Sequence, residues 1–430
     1  MKHQTRIILA GTLGNLIESF DMAICGLLSV YIAKYLIGDA SKGLFLVFLT
    51  FFGGYLARPI GAMIMGLLSD IYGRKIILAA SILTMGVSTT FIGFIPPHST
   101  IGTFSVITLL ALRIIQSFSC GAEYLNSSAY LVENAESSRK GYSGSWASFG
   151  AMSGMMIASL VALSVTYFVK NYPEHEWIIW RVPFVLALLG SSIGLYIRLF
   201  IPESMEYIMY YADRPKPRFG NLFSESVQYI KTNKLQAIYV FFLSCLGVTT
   251  TFQIYIYGPM QAHLSSHFTD QEIMTSNIIS LIVLLCIFPL VGRLSDRVNR
   301  EKIMITASLG FLILSQPFFY LLSNGDFHQL LLGQALIAIP AGAYYATVPV
   351  MLAEMFPIKL RCTVLSVLYS SAASLSAGLA PLISLILVKK TGVASSPSIL
   401  VFILVASAFI TMYVKHFSNR KRYSQLPLKY

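Results

Sequence analysis

The stretch Gly66-Leu-Leu-Ser-Asp70-Ile-Tyr-Gly73-Arg74-Lys75 has a worn copy 226 residues later, Gly292-Arg-Leu-Ser-Asp296-Arg297-Val-Asn-Arg300-Glu301. Both follow a long apolar run and precede another. A second echo lies further along each half: Leu131-Val-Glu133 followed by Arg139, and Leu352-Ala-Glu354 followed by Arg361, offset by 221 to 222 residues. Two matched pairs at nearly one spacing argue for a duplicated unit. Parallel repeats of this kind place a substrate site between the halves near the membrane midplane and let the halves rock around it.

Outside these stretches the chain is apolar almost throughout. Of its 430 residues 55% are hydrophobic and 12% charged, with a mean hydropathy of +0.68. A soluble domain carries about a quarter charged residues, so lipid must be the solvent for most of this chain. Apolar runs lie near residues 7–35, 43–68, 76–95, 104–132, 143–169, 180–201, 236–259, 274–292, 303–323, 328–353, 363–388 and 398–416, each close to the ~20 residues that cross a bilayer. The predicted fold is an all-α integral membrane protein with twelve transmembrane helices in two six-helix pseudo-repeat bundles. The bundles are expected over 1–201 and 236–416, joined by a linker at 202–235 and followed by a short basic tail at 417–430. In the linker, Pro215 and Pro217 interrupt any continuous helix. Phe219, Leu222, Phe223, Val227 and Ile230 recur at helical spacing, which suits either a surface helix or a solvated linker.

Charge sets the expected orientation. Lysine and arginine fall 22 to 5 in favour of the loops that share a side with the termini, which places both termini in the cytoplasm. The net charge of +12 is thereby a topology signal, and no nucleic-acid partner is expected. Glu18 and Asp21 break the first apolar run and no small-residue cleavage site follows, so it reads as an uncleaved span. Cys25, Cys120, Cys245, Cys286 and Cys362 have no paired spacing and read as small buried apolar residues, with no metal expected. No enzyme signature is present: His263-Leu-Ser-Ser-His267 lacks the glutamate of a zinc-protease helix, and no nucleotide-binding loop occurs. Trp177 and Trp180 read as an interfacial belt, and Pro59, Pro183, Pro289, Pro340, Pro349 and Pro381 as sites of bending.

Five ionisable residues fall well inside the runs, all in the first half: Glu18, Asp21, Arg58, Arg113 and Glu123. An ionised group at a helix centre costs ~2.5 to 3.5 kcal/mol on insertion scales, so such groups mark sites. Glu18 and Asp21 share a helical face about one turn apart; two carboxylates that close in a poorly hydrated site repel, which makes them, with Glu123, candidates for carrying a proton. Arg113 is placed to neutralise an acid of the first helix or to take a substrate carboxylate in a bidentate fork. Arg58, beside Pro59, is the second candidate cation of the path. Gln116, Tyr124, Gln253, Tyr255 and Tyr344 are the polar and aromatic candidates for lining it, although a tyrosine in a membrane protein more often packs or anchors. Tyr255 and Tyr257 lie about 200° apart on a helix, so one of them at most is expected to face the path.

The loop motif G-x-x-x-D-x-x-G-R-K and the six-plus-six layout resemble the major facilitator superfamily. Within it, Gly14-Asn15-Leu-Ile-Glu18-Ser-Phe20-Asp21, Gln116-Ser-Phe118-Ser-Cys-Gly121-Ala-Glu123-Tyr124, Gly144-Ser145-Trp146 and Trp180-Arg181-Val-Pro183-Phe184 are similar to the bacterial metabolite:proton symporters, a branch that includes proline/betaine, α-ketoglutarate, citrate and shikimate carriers. The chain departs from that branch where E-W-F-D becomes Glu18-Ser19-Phe20-Asp21 and G-G-E-Y becomes Gly121-Ala122-Glu123-Tyr124, so no relative's substrate transfers directly. The resemblance implies a cytoplasmic gate built on the Gly66 and Gly73 framework, in which Asp70, Arg74, Glu133 and Arg139 form a charge cluster and Asp296, Arg300, Glu354 and Arg361 a weaker copy. It further implies a proton-coupled importer of a small polar metabolite in a bacterial inner membrane, monomeric, with no cofactor beyond the proton gradient. A same-fold efflux antiporter, an uncoupled facilitator and a non-transporting receptor are the alternatives. Drug antiporters carry a Gly-Pro-rich motif in the fifth span, which Gly150-Ala-Met-Ser-Gly154 lacks.

Overall fold

In hydrocarbon no water is present to take unpaired backbone groups, so long apolar segments close their hydrogen bonds on themselves as helices. A computed structural model describes residues 2–38, 40–265 and 267–424 of the chain, so the tail expected over 417–430 lies outside the described residues from 425 onward. Twelve helices are long and apolar enough to cross a membrane, and no strand occurs among the described residues. They are α1 (Gln4–Leu27), α2 (Leu49–Tyr72), α3 (Arg74–Phe94), α4 (Phe104–Glu133), α5 (Lys140–Asn171), α6 (Pro173–Phe200), α7 (Lys234–Ser265), α8 (Gln271–Leu294), α9 (Arg300–Asn324), α10 (Phe327–Glu354), α11 (Arg361–Thr391) and α12 (Ser398–His416). Between α6 and α7 lie two shorter helices, Met205–Tyr211 and Phe219–Thr232.

The two six-helix bundles meet along two related seams, α2 along α11 and α5 along α8. Within the first bundle, α5 packs backbone to backbone on α1: a Cβ on Gly150 would stand 2.2 Å from the Thr12 carbonyl oxygen, and one on Gly154 2.1 Å from that of Leu16. This is the close approach that small residues four apart allow between membrane helices. Gly61 of α2 and Gly121 of α4 do the same, with Cβ positions 2.0 Å from the Phe118 carbonyl oxygen and 2.4 Å from that of Arg58. Helix α4 breaks at that contact, running as Phe104–Cys120 and Glu123–Glu133.

Two prolines have an identifiable consequence across the seams. Pro59 in α2 cannot bond the carbonyl of Tyr55, and the hydroxyl of Ser374 in α11 donates to it at 2.7 Å. Pro349 in α10 likewise frees the Tyr345 carbonyl, which accepts from Ser148 of α5 at 2.6 Å. Pro183 stands in the first turn of Val182–Phe200, where its missing N–H costs nothing, so it starts the continuous part of α6 and does not bend it. Pro317 inside α9 escaped the sequence reading. Two further expectations change. Trp180 is fully buried, stacked on Tyr35, whereas Trp177 stays exposed; Cys286 is exposed while the other four cysteines are buried.

Candidate functional site

Between the bundles lies a cavity of about 890 Å³. Its wall runs along α1 from Glu18 to Leu27, and on the other side includes Pro259 and Met260 of α7, Met274 of α8 and Leu382 of α11, so it opens away from the side that bears the two loop motifs. Glu18, 4% exposed, faces it and accepts from Arg58 Nη2 of α2 at 2.8 Å. The Arg58 guanidinium stands over the Tyr55 ring, 5.7 Å from its centroid. Tyr124 and Tyr369 pack together beside this pair, and the Tyr124 hydroxyl lies 2.8 Å from Ser148 Oγ.

Arg113 lines the same cavity but meets no acid within ion-pair distance among the described residues. Its guanidinium lies over the Phe51 ring at 4.0 Å, and its Nη1 donates to Gln116 Oε1 at 2.5 Å. Gln116 Nε2 in turn donates to Thr89 Oγ1 at 2.7 Å, and Thr89 donates to Asp21 Oδ2 at 3.1 Å. The cation of α4 and the carboxylate of α1 are thus linked through a buried amide and a hydroxyl. Asp21 and Gln116 sit behind the cavity wall, which corrects the placement of Gln116 on the path. Thr89 was invisible as a candidate because a threonine within an apolar run carries no signal.

Glu123 stands apart from the cavity. It pairs with Arg198 of α6 and accepts from Ser81 of α3, all three buried. Arg198, near the end of its span, has in the sequence the look of a flanking basic residue. In the second bundle Tyr255 and Tyr344 line the cavity, and Tyr257 does not. Gln253, expected on the path, turns away: its amide nitrogen donates to Ser384 Oγ at 3.0 Å and to the Pro397 carbonyl at 3.1 Å. Gln253 and Tyr255 are two residues apart, about 200° on a helix, so with Tyr255 on the cavity Gln253 faces away; the two belong to a π-helical turn, Gln253–Tyr257.

The motif side is shut by groups from both bundles. Asp70 accepts from the backbone N–H groups of Cys362 and Thr363 (3.2 and 2.8 Å) in the first turn of α11, and from the Thr363 hydroxyl at 2.7 Å. Asp296 does the same for α5, accepting from the N–H groups of Gly141 and Tyr142 at 2.6 and 3.0 Å. Each motif aspartate therefore caps the first helical turn of the opposite bundle, where the helix dipole favours a carboxylate. Gly66 is where α2 meets α11, its Cβ position 2.8 Å from the Thr363 Cα. Arg74 forks onto Glu133 at 3.1 and 3.2 Å and donates to the Ile358 carbonyl across the seam at 3.0 Å.

Two assignments in this cluster change. Arg139 is exposed and reaches only Glu136, 3.6 Å away, because it precedes the first turn of α5 and points to solvent. Arg361, expected in the second copy, instead joins the first cluster, bonding Glu133 at 2.8 Å and Glu206 at 2.9 Å. Arg300 keeps the second-copy role, pairing with Glu354 and, at 3.5 Å, with Asp296.

The segment after α6 supplies groups that no motif announced. Glu203 caps α3, accepting from the N–H groups of Arg74 at 2.9 Å and Lys75 at 3.2 Å, while Glu206 also bonds Lys140 at 2.8 Å. Gly73 is required there by its φ of +109°, and a Cβ, 2.1 Å from Glu203 Oε2, would also displace the capping carboxylate. In the second copy Asn299 caps its own helix, its side chain accepting from the N–H of Glu301 at 2.8 Å. The loss of glycine there thus follows from a cap supplied locally. Burial pushes the Tyr207 phenol up to about 12, so it remains a donor to the Ile71 carbonyl, 2.6 Å away.

Comparison with known proteins follows this architecture. The family model of the Major Facilitator Superfamily matches residues 11–321 and 241–428. The proline/betaine transporter of Salmonella typhimurium is 29% identical over 96% of this chain and 84% of its own length. The glycine betaine/proline/ectoine/pipecolic acid transporter OusA of Dickeya dadantii is 28% identical with the same coverage. Among solved structures, the proton:xylose symporter XylE superposes with a TM-score of 0.77 at 16% identity, covering 96% of each chain. The human organic anion transporter MFSD10 superposes at 0.66 and 15% identity, over 95% of this chain and 99% of its own. The chain therefore belongs to the Major Facilitator Superfamily, a family of membrane transporters and not of enzymes.

Proposed function

We infer that this chain is a proton-coupled importer of a small polar metabolite, a zwitterion such as proline or betaine or a small organic acid, working by alternating access in a bacterial inner membrane. The observation that carries the reading is the Glu18–Arg58 ion pair facing a cavity that is open on one side and shut on the other. A proton taken up by Glu18 removes the negative partner of Arg58 and leaves a guanidinium free for a carboxylate, so cargo and proton favour each other's binding. Asp21, joined to Arg113 through Thr89 and Gln116, provides a second acid one turn nearer the open end, behind the cavity wall. The basic excess on the motif side supports a cytoplasmic location for that side and for both termini, and the open cavity then faces outward. The names of the relatives support the solute class.

The driving force suffices with one proton: a single positive charge moving down 100 mV yields about 2.3 kcal/mol, close to fiftyfold accumulation. Uptake by proteoliposomes under an imposed pH gradient tests the reading. Accumulation is expected to follow the gradient and to vanish in Glu18→Gln. Accumulation that ignores the gradient, or that survives Glu18→Gln and Asp21→Asn combined, would refute coupling through these acids. It would turn the reading to an uncoupled facilitator.

A further inference from the structure

The geometry points to a cargo narrower in class than a small polar metabolite: a carboxylate attached to a sizeable apolar body. This inference rests on the transport reading and refines its cavity. The charged groups of the wall all lie on the first bundle, and they are unequally matched. Glu18 neutralises Arg58, whereas Arg113 has no acid within ion-pair distance among the described residues. A guanidinium held in a poorly hydrated site without a counter-charge is costly, and a carboxylate brought into the cavity beside Arg113 supplies one.

The rest of the wall asks for apolar contact. Met22, Met152, Met155, Met260 and Met274 line it together with Phe51, Phe52 and Phe252. Several of the hydroxyls that interrupt this surface are already committed, although that of Tyr255 is not. Ser244 donates to the Val240 carbonyl at 2.8 Å, Thr251 to Gly247 at 2.9 Å and Tyr344 to Leu243 at 2.8 Å, while the Tyr345 hydroxyl lies 2.8 Å from that of Thr250.

Size argues the same way. The cavity, about 890 Å³ and open on one side, far exceeds a compact amino acid, which would leave much of the methionine and phenylalanine wall in contact with water. Flexible methionine surfaces instead re-pack around apolar bodies of varied shape and favour aromatic ones.

The test is binding to the purified full-length chain in detergent without any gradient, comparing 3-phenylpropanoate, its amide, L-proline and glycine betaine by calorimetry. The aryl acid is expected to bind about tenfold tighter than proline or betaine, a difference of ~1.4 kcal/mol. The amide should lose that advantage, and Arg113→Gln should abolish the difference between acid and amide. Should Arg113→Gln not fold, Met155→Asn serves instead and is expected to weaken the aryl acid severalfold more than it weakens betaine. Proline or betaine binding as tightly as the aryl acid, equal binding of acid and amide, or no binding of the acid overturns the inference. Gradient-driven uptake of betaine without aryl-acid binding would remove this inference alone. Aryl-acid binding without gradient-driven uptake would remove the transport reading alone.

Discussion

Glu123 and Arg198 show what a buried charge does when it faces no cavity. The two are almost fully enclosed with Ser81 between α3, α4 and α6. Breaking such a pair by removing one partner leaves the other charge unmatched at a cost of ~3 to 5 kcal/mol, whereas replacing both by apolar side chains is far milder. Arg198→Met alone should therefore lower the melting temperature strongly, and Glu123→Leu combined with Arg198→Met should recover most of the loss without altering the proton dependence of uptake. If the double variant instead loses gradient coupling, Glu123 belongs to the proton path, the role its sequence position suggested. Glu18, Arg58 and Arg113 were legible because a charge within an apolar run is conspicuous whatever surrounds it. Other members of these networks were not: Thr89, which links Gln116 to Asp21, is one hydroxyl among many, and Arg198, the partner of Glu123, looks like the basic end of a span. Which of two acids faces the cavity depends on helix rotation, and spacing alone cannot set it.

At the scale of the helix, proline and glycine decide how α2, α5 and α10 meet their neighbours. The carbonyls freed by Pro59 and Pro349 belong to Tyr55 and Tyr345, two rings of the cavity wall, and each is taken by a serine of the other bundle. These are contacts that any rocking of the bundles must break and that carry no charge. Ser148→Ala and Ser374→Ala each remove a net ~0.5 to 1.5 kcal/mol of hydrogen bonding. Together they should speed substrate exchange severalfold while shifting the melting temperature by only a few degrees. Unchanged exchange in the double variant would mean that these bonds persist through the cycle. Gly154 sets the complementary limit: its Cβ position is 2.1 Å from a carbonyl of α1, so Gly154→Val must push α5 off α1, and a loss of ~1 to 3 kcal/mol in thermal or denaturant unfolding is the expected outcome. The spans and the two halves were readable, since lengths follow bilayer thickness and the motif repeat fixes the duplication, whereas the seams were not. The serines that answer each proline come from the other half of the chain and could be paired with it only once the helices were in place.

For the whole molecule the duplicated motif makes one closure out of two equivalent clasps. Asp70 holds the start of α11 and Asp296 the start of α5, so each bundle grips a helix of the other by its positive end, and the cavity beyond them stays open. Opening the motif side requires both clasps to part, along with the Arg74, Arg361 and Glu206 bonds that cross the same seam. A hydrogen bond to a charged group contributes about 1.5 to 3 kcal/mol, so neutralising one aspartate should shift the balance of states by about tenfold toward opening there. The chain carries its own reporter: Cys362, whose N–H bonds Asp70, is buried behind this closure, while Cys286 is exposed on α8. Maleimide labelling followed by peptide mass mapping should find Cys362 nearly inert in the parent protein. It should be about tenfold faster in Asp70→Asn, and faster by a similar factor in Asp296→Asn, with Cys286 unchanged in both. The second variant is decisive, because Asp296 lies on the other seam and touches neither Cys362 nor its helix. Acceleration there can reach Cys362 only if the bundles move as units, and a Cys362 rate that responds to Asp70→Asn alone would reduce the two clasps to local helix caps.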